Sequence, residues 1–379
     1  TVQDIFHRFY PAYLDQYSPS PVQAKVAHNI MNCKTGAYGA NVCVCEDCGF
    51  VQIHYNSCRN RCCPMCQAVP KEMWMDARRE DVLDAPYFHL VFTVPDILNP
   101  VIYSNQRLLY DALYHAASST ISELTADPKH LGAKVGYICI LHTWGSEMNF
   151  HPHIHTILLG GGLASNNQWK DNGENFFLPI RVISKMFRGK YLEELKRLWE
   201  EDKLVFHGTA EKFRNHYTFK ELLDSCYGMD WIPHCKKTFN GAQTVIKYLG
   251  KYTHRIAVSN HRIVRMDDDT VTFLVKDYRN EGQWKELTIS GVEFVRRFLM
   301  HVPPRRFVRI RHYGLLCSRT KSQKLTLCRN LLGCKKYLSK LRDMEMPEIL
   351  EHLYGIKVCV CKACGGHLGK PQMRMPLRC

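Results

Sequence analysis

A dense group of cysteines near the N-terminus constrains the fold more than any other feature of this sequence. Eight of the eighteen cysteines in the 379-residue chain lie between residues 33 and 66. Cys45-x-x-Cys48 and Cys63-x-x-Cys66 have the spacing of two zinc knuckles that together close one tetrahedral four-thiolate site. Gly49, directly after the first pair, permits the tight turn that a knuckle needs. The spacing therefore predicts a structural Zn²⁺ site in a small N-terminal module.

Other cysteines leave two assignments open. The same module contains five further candidate ligands: Cys33, Cys43, His54, Cys58 and Cys62. Either some of them complete a second zinc site, or the cysteines are buried without a metal. Near the C-terminus, Cys361-x-x-Cys364 is a single knuckle that predicts another zinc site, unless the pair is incidental. Its partners would be Cys359, His367 or Cys379. Because the first residues show no secretory pattern, we expect reduced, metal-binding thiols rather than disulfides.

The charge of the chain predicts a polyanionic partner. The net charge is +15, and residues 295–342 contain fourteen Lys or Arg and no Asp or Glu. Such a segment attracts nucleic acid through the release of counterions. The alternative is a solvated basic face without a partner. The longest apolar runs are too short to cross a bilayer, so we expect a cytoplasmic protein with no membrane partner.

Three histidines alternate at the start of a predicted strand. Side chains in a strand repeat with a period of two, so His151, His153 and His155 lie on one face. The pattern predicts that His153 and His155 bind a metal ion. A hairpin turn centred near residues 146–147 places His142 opposite His153, which makes His142 the candidate third ligand.

The third position of this metal site has several other candidates. They are His151, Glu147, Gln243 and His254. Two nitrogens and one oxygen, with open positions, would suit Mn²⁺ or Mg²⁺ acting as a Lewis acid on a phosphate oxygen.

Two tyrosines share one face of a predicted helix over residues 241–252. Tyr248 and Tyr252 are four residues apart, and Lys247 and Lys251 repeat that spacing on a neighbouring face. The lysines are candidates to hold phosphates or to offset phenolate charge. Taken alone, two helical aromatics indicate core packing. A functional role is favoured by the histidine strand, the basic chain and the zinc knuckles together.

The pattern of strands and helices predicts an α+β fold with an antiparallel sheet. The predicted strands cover residues 87–94, 135–141 and 152–159, with a meander at 262–266, 271–276 and 284–289. The predicted helices cover residues 101–124 and 184–201. We expect three parts: residues 1–84, a helical and zinc-binding module; residues 85–300, a nuclease domain with an inserted helical segment at about 184–240; and residues 301–379, a basic DNA-binding region with a possible zinc knuckle.

The chemistry-bearing motifs resemble a known enzyme family. His153-Ile154-His155 matches the His-hydrophobic-His motif of the HUH endonucleases, and Tyr248-x-x-x-Tyr252 matches the paired tyrosines of their two-tyrosine branch. Segments 57–64, 141–145, 151–162, 248–255 and 309–314 are similar to the rolling-circle transposases of the IS91 family of bacterial insertion sequences. The resemblance covers about residues 33 to 315. Cys62 departs from it, since the family often has histidine there.

The resemblance implies an antiparallel-sheet nuclease that acts on single-stranded DNA at transposon ends and on target DNA, in association with the nucleoid. A metal held by His153 and His155 would polarise the scissile phosphate, and Tyr248 or Tyr252 would attack it to form a 5′-phosphotyrosine. With two tyrosines, one holds the donor strand while the other cleaves a second site. A mode with one catalytic tyrosine stays open.

Basic and aromatic residues are the candidate DNA contacts. The phosphate-contacting set is Arg59, Arg61, Lys247, Lys251, Arg305, Arg306, Arg309 and Arg311, and Phe307 and Tyr313 are candidates to stack on unpaired bases. The arginines pair instead with acidic groups of the fold in the alternative interpretation. Two rival functions also stay open: a plasmid-type replication initiator or relaxase with the same chemistry, and a non-enzymatic zinc protein that binds DNA. The sequence predicts no oligomeric state.

Overall fold

A computed structural model of the chain describes residues 1–171, 178–231, 233–239, 245, 250, 257–277 and 282–374. The helices are α1 (Val2–Gln16), α2 (Pro21–Met31), α3 (Ala68–Arg79), α4 (Asn99–Ser104), α5 (Gln106–Ala126), α6 (Ile180–Glu200), α7 (His216–Gly228), α8 (Gly291–Met300), α9 (Lys321–Leu332) and α10 (Met346–Tyr354). The strands are β1 (Ala40–Val44), β2 (Val51–Tyr55), β3 (Tyr87–Thr93), β4 (Lys134–Trp144), β5 (Phe150–Leu163), β6 (Trp169–Asp171), β7 (His234–Phe239), β8 (Ile263–Met266), β9 (Thr270–Asp277), β10 (Gln283–Ser290), β11 (Ile310–Gly314) and β12 (Gln372–Arg374).

The largest sheet is antiparallel throughout and confirms the α+β class expected from the sequence. Its strand order is β11-β4-β5-β3-β7, and β6 pairs with the end of β5. β4 and β5 form the predicted hairpin, which closes where Gly145 N–H donates to the carbonyl of Asn149 at 3.1 Å. The hairpin fixes the register of the histidines because the turn decides which residues stand opposite each other.

The period of two sorts the side chains of β5 between two cores. Ile154 and Leu158 face a core formed with α5, α6 and α7, in which Phe92 of β3 contacts Phe187 of α6 with ring centroids 5.0 Å apart. The segment expected as an insertion therefore packs directly on the largest sheet. α7 lies in a stretch whose sequence predicted no element, and the side chain of Asn215 caps its first turn.

The opposite face of the sheet carries the histidines and a second apolar cluster. This cluster includes Ile138 of β4, Ile157 of β5 and Leu325 of α9, together with Met75 of α3 and Val245. α3 also holds the segment after α9, because the buried carboxylate of Asp76 accepts hydrogen bonds from that segment. The donors are the hydroxyl of Tyr337 at 2.7 Å, the hydroxyl of Ser339 at 2.6 Å and the backbone N–H of Leu341 at 2.9 Å.

A separate core joins the first helices to a later part of the chain. α1, α2 and α8 pack on the meander β8-β9-β10, and Phe6 meets Phe298 edge to face with ring centroids 5.2 Å apart. The meander confirms the prediction from the short alternating runs. α1 and α2 both begin with capping boxes, formed by Thr1 with Asp4 and by Ser20 with Gln23.

The expected division of the chain does not follow its sheets. β11 lies beyond residue 300, yet it pairs with β4 in the largest sheet. β12, close to the C-terminus, pairs with β1 in a small sheet of order β12-β1-β2. The sequence could not show either pairing, because both join segments far apart in the chain. Among the described residues, no helix has the length and apolar content required to cross a membrane.

Candidate metal centres and DNA-contacting surface

Three histidines from the β4–β5 hairpin form one group. His142 stands directly opposite His153 in the register, and His155 follows on the same face of β5. One ring nitrogen of each histidine lies within 4.8 Å of the others, and all three side chains are buried. The Nε2 atoms of His153 and His155 are 3.1 Å apart. Two nitrogens that bind one metal at ~2.1 Å stand roughly 3.0–3.4 Å apart, so this spacing fits a shared ion.

A backbone contact orients the ring of His153, and burial sets the charge of His153 and His155. The Nδ1 atom of His153 is 2.7 Å from the carbonyl oxygen of His151, to which its N–H donates. Burial lowers the pKa of His153 to about 4 and lowers the pKa of His155 further below its usual value. Both imidazoles are therefore neutral near pH 7, which is the state that binds metals.

His89 is a residue that the sequence interpretation missed. It lies on β3, is 5% exposed, and its Nε2 atom is 2.9 Å from Nδ1 of His155. If Nε2 of His155 faces a metal, its Nδ1 carries the proton and donates it to His89, which orients the ligand ring. No local pattern marks His89, because it belongs to a different strand from the histidine motif.

The other candidates for the third ligand are not part of the group. The ring of His151 turns to Asp96, with Nδ1 3.2 Å from a carboxylate oxygen. Glu147 lies in the hairpin turn, where its carboxylate accepts a hydrogen bond from Asn149 at 3.5 Å. Gln243 and His254 lie outside the described residues. Among the residues that the structure does describe, the group holds three nitrogens and no carboxylate.

Both candidate nucleophiles, Tyr248 and Tyr252, and the neighbouring Lys247 and Lys251 lie outside the described residues. Two residues of the same segment are described. Val245 is 1% exposed and packs in the apolar cluster on the histidine face of the sheet. Gly250 is buried against α3, since a Cβ built on it would stand 2.0 Å from the sulfur of Met75.

The cysteines form two groups of four, and the predicted grouping is wrong. Cys63 and Cys66 join Cys33 and Cys58, whereas Cys45 and Cys48 join Cys361 and Cys364. The reason is the β1–β2 hairpin. Cys45 and Cys48 lie in the turn at its tip, whereas Cys33, Cys58, Cys63 and Cys66 lie beyond the other ends of its strands. Strands of five residues at ~3.3 Å per residue span roughly 16 Å, so thiols at the tip cannot reach those at the base.

Each group has the dimensions of a zinc–thiolate site. In the first, Sγ of Cys66 is 3.4 Å from that of Cys33 and 3.6 Å from that of Cys58. Tetrahedral thiolates at ~2.3 Å from zinc stand about 3.8 Å apart. The remaining candidates that the structure describes lie outside both groups: Cys43, His54, Cys62, Cys359 and His367. Cys379 is outside the described residues, and Cys62 is a buried thiol beside Arg309.

Several of the predicted DNA-contacting residues serve the fold instead. Arg61 donates to the carbonyl oxygens of Phe307 at 2.6 Å and Pro304 at 3.2 Å. Arg311 pairs with Asp111, and its guanidinium lies 4.0 Å from the centre of the Tyr114 ring. Arg311 thus makes the pairing with an acidic group that the alternative interpretation expected, whereas Arg61 is exposed and donates to backbone carbonyls.

The proposed stacking role of Phe307 is also wrong. Its ring is 2% exposed and packs against Tyr110, with centroids 5.6 Å apart. Tyr313, the other stacking candidate, lies stacked on Tyr137 at 5.2 Å and is half-buried. Both rings fill the core beside α5, where an unpaired base has no access to Phe307.

Four of the predicted arginines are exposed: Arg59, Arg61, Arg305 and Arg306. Arg59 and Arg306 have left-handed backbone conformations, with φ of +52° and +59°, which cost a non-glycine residue about 1 kcal/mol. The Arg61 hydrogen bonds join the two loops that carry these arginines. The joined loops, together with α2, line a cavity of about 320 Å³ that includes Lys25, Arg305 and Arg306.

Two parts of the chain match known protein families. Residues 5–94 match the family described as "Transposase zinc-binding domain", and residues 136–324 match the family described as "Putative transposase". The chain is 40% identical over 367 residues to "Putative transposase y4qJ" of Sinorhizobium fredii, covering 96% of this chain and 92% of that protein. It is 30% identical over 309 residues to the transposase for insertion sequence element IS801 of Pseudomonas savastanoi pv. phaseolicola, covering 80% of this chain and 72% of that protein.

Among solved structures, the chain has a slight similarity to the conjugative relaxase TrwC in complex with oriT DNA. The metal-free structure is 12% identical and covers 43% of this chain and 71% of that chain, with a TM-score of 0.25. The metal-bound structure is 14% identical, with the same TM-score, and the match covers 43% of this chain and 69% of that chain. A TM-score of this size is too low to define the fold.

Proposed function

We propose, from the premise that this chain belongs to the IS91 family of transposases, that it cleaves and rejoins single-stranded DNA beside a metal centre held by His142, His153 and His155. Transposition requires an enzyme that breaks and transfers DNA strands. The convergence of three buried imidazoles on one point is the observation that carries the proposal. Membership of this family favours transposition over plasmid replication or conjugation.

The donor set narrows the choice of catalytic ion. Imidazole nitrogens suit transition-metal ions, whereas Mg²⁺ prefers oxygen ligands and retains much of its water. Three histidines therefore favour Mn²⁺ over Mg²⁺ at this site. An ion bound there would polarise a non-bridging oxygen of the scissile phosphate. The buried rings of His142, His153 and His155 hold that position rigidly, because the register of the β4–β5 hairpin fixes them.

Tyr248 and Tyr252 are the proposed nucleophiles. The argument rests on their described neighbours: Val245, three residues before Tyr248, packs on the sheet face that carries the histidines, and Gly250, between the tyrosines, packs on α3. The two described residues of this segment thus pack on the side of the sheet that carries the histidines. Lys247 and Lys251 belong to the same segment and are proposed phosphate contacts.

The tyrosines would carry out two transesterifications. A phenolic oxygen attacks the scissile phosphorus, the bond from phosphorus to the 3′ oxygen breaks, and that oxygen takes up a proton while the phenolic proton is lost. The DNA keeps its phosphodiester energy as a 5′-phosphotyrosine, so a free 3′-OH can later reverse the reaction without ATP. The second tyrosine would cleave another site meanwhile, as rolling-circle transfer of one strand requires.

The DNA strand would approach along the exposed arginines. Arg59, Arg305 and Arg306 lie on two loops that Arg61 joins, and Lys25 adds a further positive charge at the same cavity. Of the described residues that line this cavity, none is Asp or Glu. A groove of uncompensated positive charge suits the phosphates of a single strand, whose bound cations are released on binding. Arg309 is also a candidate contact, although its side chain is only partly exposed.

The zinc groups are proposed to support this machinery. The matched zinc-binding domain covers Cys33, Cys58, Cys63 and Cys66, whose thiols we propose as the ligands of one Zn²⁺ ion. That site would fix the loop carrying Arg59 and Arg61, because Cys58 and Cys63 flank it. Such small modules gain much of their folding free energy from the metal.

A covalent-adduct assay tests the catalytic proposal. The full chain, a labelled single strand from the element's end and Mn²⁺ are combined, and adducts are detected after denaturation. We expect adducts with wild type, reduced amounts with Tyr248→Phe or Tyr252→Phe, and none with the double variant or with His153→Ala, His155→Ala. Tyr217→Phe is the matched control, since this tyrosine is 76% exposed on α7. An undiminished adduct with the double tyrosine variant contradicts the proposed nucleophiles.

A further inference from the structure

The second cysteine group joins the two ends of the chain. Sγ of Cys45 is 3.5 Å from that of Cys364, and Sγ of Cys48 is 3.8 Å from that of Cys361. The paired residues are 319 and 313 positions apart in the sequence. These separations match the edge of about 3.8 Å expected for thiolates around zinc. The matched zinc-binding domain ends at residue 94 and does not include the C-terminal pair.

Both halves of this group have the same local geometry. Gly49 N–H donates to the carbonyl of Cys45 at 3.0 Å, and Gly365 N–H donates to the carbonyl of Cys361 at 3.0 Å. The two glycines have left-handed φ values of +73° and +79°. Backbone N–H groups also point at the C-terminal sulfurs, 3.4 Å from each. Two such turns that face each other present four thiols in the arrangement that a tetrahedral metal site requires. Cysteines that are close only by coincidence would not share this local geometry.

The structure around the group provides little other stabilisation. The apolar cluster beneath it consists of Cys43, Cys45, Cys361 and Leu368. The adjoining sheet β12-β1-β2 has strands of only three to five residues. Its outer face leaves Val51, Ile53 and Tyr55 each about half exposed, at 51–52%. A sheet this small with so little buried apolar surface needs a metal or another cross-link to persist.

We infer that Cys45, Cys48, Cys361 and Cys364 bind one Zn²⁺ ion jointly, which clasps the C-terminal tail onto the N-terminal module. The N-terminal hairpin is thus completed only after the last part of the chain is present. β12 and the bridge between Cys45 and Leu368 form around this ion. The preceding segment is held separately by Asp76, so loss of the ion releases the tail and leaves α9 in place.

Zinc stoichiometry in the full chain tests the shared site. We expect Cys45→Ser, Cys48→Ser to lose one zinc per chain, and Cys361→Ser, Cys364→Ser to lose one as well. The four-fold variant should also lose only one, because both pairs hold the same ion. Cys359→Ser, an exposed neighbour outside the group, is the control and should lose none. A loss of two ions in the four-fold variant means two independent sites and overturns the inference, as does an unchanged content in the C-terminal variant.

Alkylation of wild-type protein provides a second measurement that needs no variant to fold. In the presence of zinc, Cys359 should react rapidly with iodoacetamide, whereas the four cysteines of the proposed site should be protected. Graded chelation should expose all four together, as read by mass spectrometry of the peptides. Exposure of Cys361 and Cys364 at a lower chelator concentration than Cys45 and Cys48 contradicts a shared ion.

Discussion

Replacement of His89 should weaken metal binding without unfolding the protein. When Nε2 of His155 binds a metal ion, its Nδ1–H donates to Nε2 of His89 across 2.9 Å, and both side chains are buried, at 5% and 8% exposure. His89→Leu keeps a similar volume and removes the acceptor. The N–H of His155 then lacks this partner in a buried place, which costs about 1–3 kcal/mol in the orientation that binds metal. At about 1.4 kcal/mol for each factor of ten, we expect a roughly 5- to 150-fold weaker affinity for Mn²⁺.

The matched variant is His89→Gln. The amide oxygen of glutamine reaches about as far as Nε2 of histidine and accepts a hydrogen bond. We therefore expect His89→Gln to retain an affinity close to that of wild type. Isothermal titration of the full, zinc-loaded chain with Mn²⁺ gives the affinities, and the melting temperature without Mn²⁺ reports the fold.

Three results would refute this reasoning about His89. The first is an unchanged Mn²⁺ affinity in the leucine variant. The second is equal weakening in the leucine and glutamine variants, which would mean that the shape of the ring matters rather than its hydrogen bond. A leucine variant that melts well below wild type without Mn²⁺ would make His89 a packing residue. Restored strand cleavage at high Mn²⁺ is expected only if His89 positions His155.

Four other substitutions separate effects on the fold from effects on DNA binding. Gly162→Ala should destabilise the protein by about 1–3 kcal/mol in urea unfolding, because its Cβ would stand 2.4 Å from a backbone oxygen of β4. Gly189→Ala, in α6 with no atom within 4 Å of the added Cβ, should instead stabilise by about 0.5–1 kcal/mol, so equal effects contradict the packing argument. Arg306→Ala should lower the slope of log affinity for single-stranded DNA against log salt by about 0.7 with an unchanged melting temperature. Arg61→Ala should lower the melting temperature, and the reverse pattern for the two arginines would show that their roles are exchanged.

The histidine site was largely predictable from local rules. Strand periodicity put His153 and His155 on one face, and the hairpin turn put His142 opposite His153. Both rules act over a few residues, so they need no knowledge of the rest of the fold. His89 escaped because a cross-strand neighbour from β3 depends on sheet order, which no short pattern specifies. Gly162, which follows the histidine motif on β5, serves close packing against β4.

Charge alone predicted a DNA-binding region and could not identify its contact residues. Arg61, Arg311 and Arg306 contribute equally to the charge of the sequence. Arg61 donates to the carbonyl oxygen of Phe307 and Arg311 to the carboxylate of Asp111, whereas Arg306 is exposed. An arginine has five donors, and a loop that needs its carbonyls satisfied competes with a phosphate for them. Tertiary structure decides that competition. The two tyrosines, Tyr248 and Tyr252, remain a prediction from the sequence and from their anchored neighbours.

The partner of each cysteine pair is a harder problem, but the sequence holds a usable signal. Spacing cannot solve it, since any two Cys-x-x-Cys pairs satisfy the geometry of one zinc ion. The residue after each pair is more informative. Cys48 and Cys364 are followed by glycines in left-handed conformation, whereas Cys66 is followed by Gln67, which opens α3. Two Cys-x-x-Cys turns that each end in a left-handed glycine have the same backbone shape and can face each other across one ion. Cys63 and Cys66 lead into a helix instead, and their partners are the single cysteines Cys33 and Cys58. A trailing glycine thus favours pairing Cys45 and Cys48 with the C-terminal knuckle, despite more than 300 intervening residues.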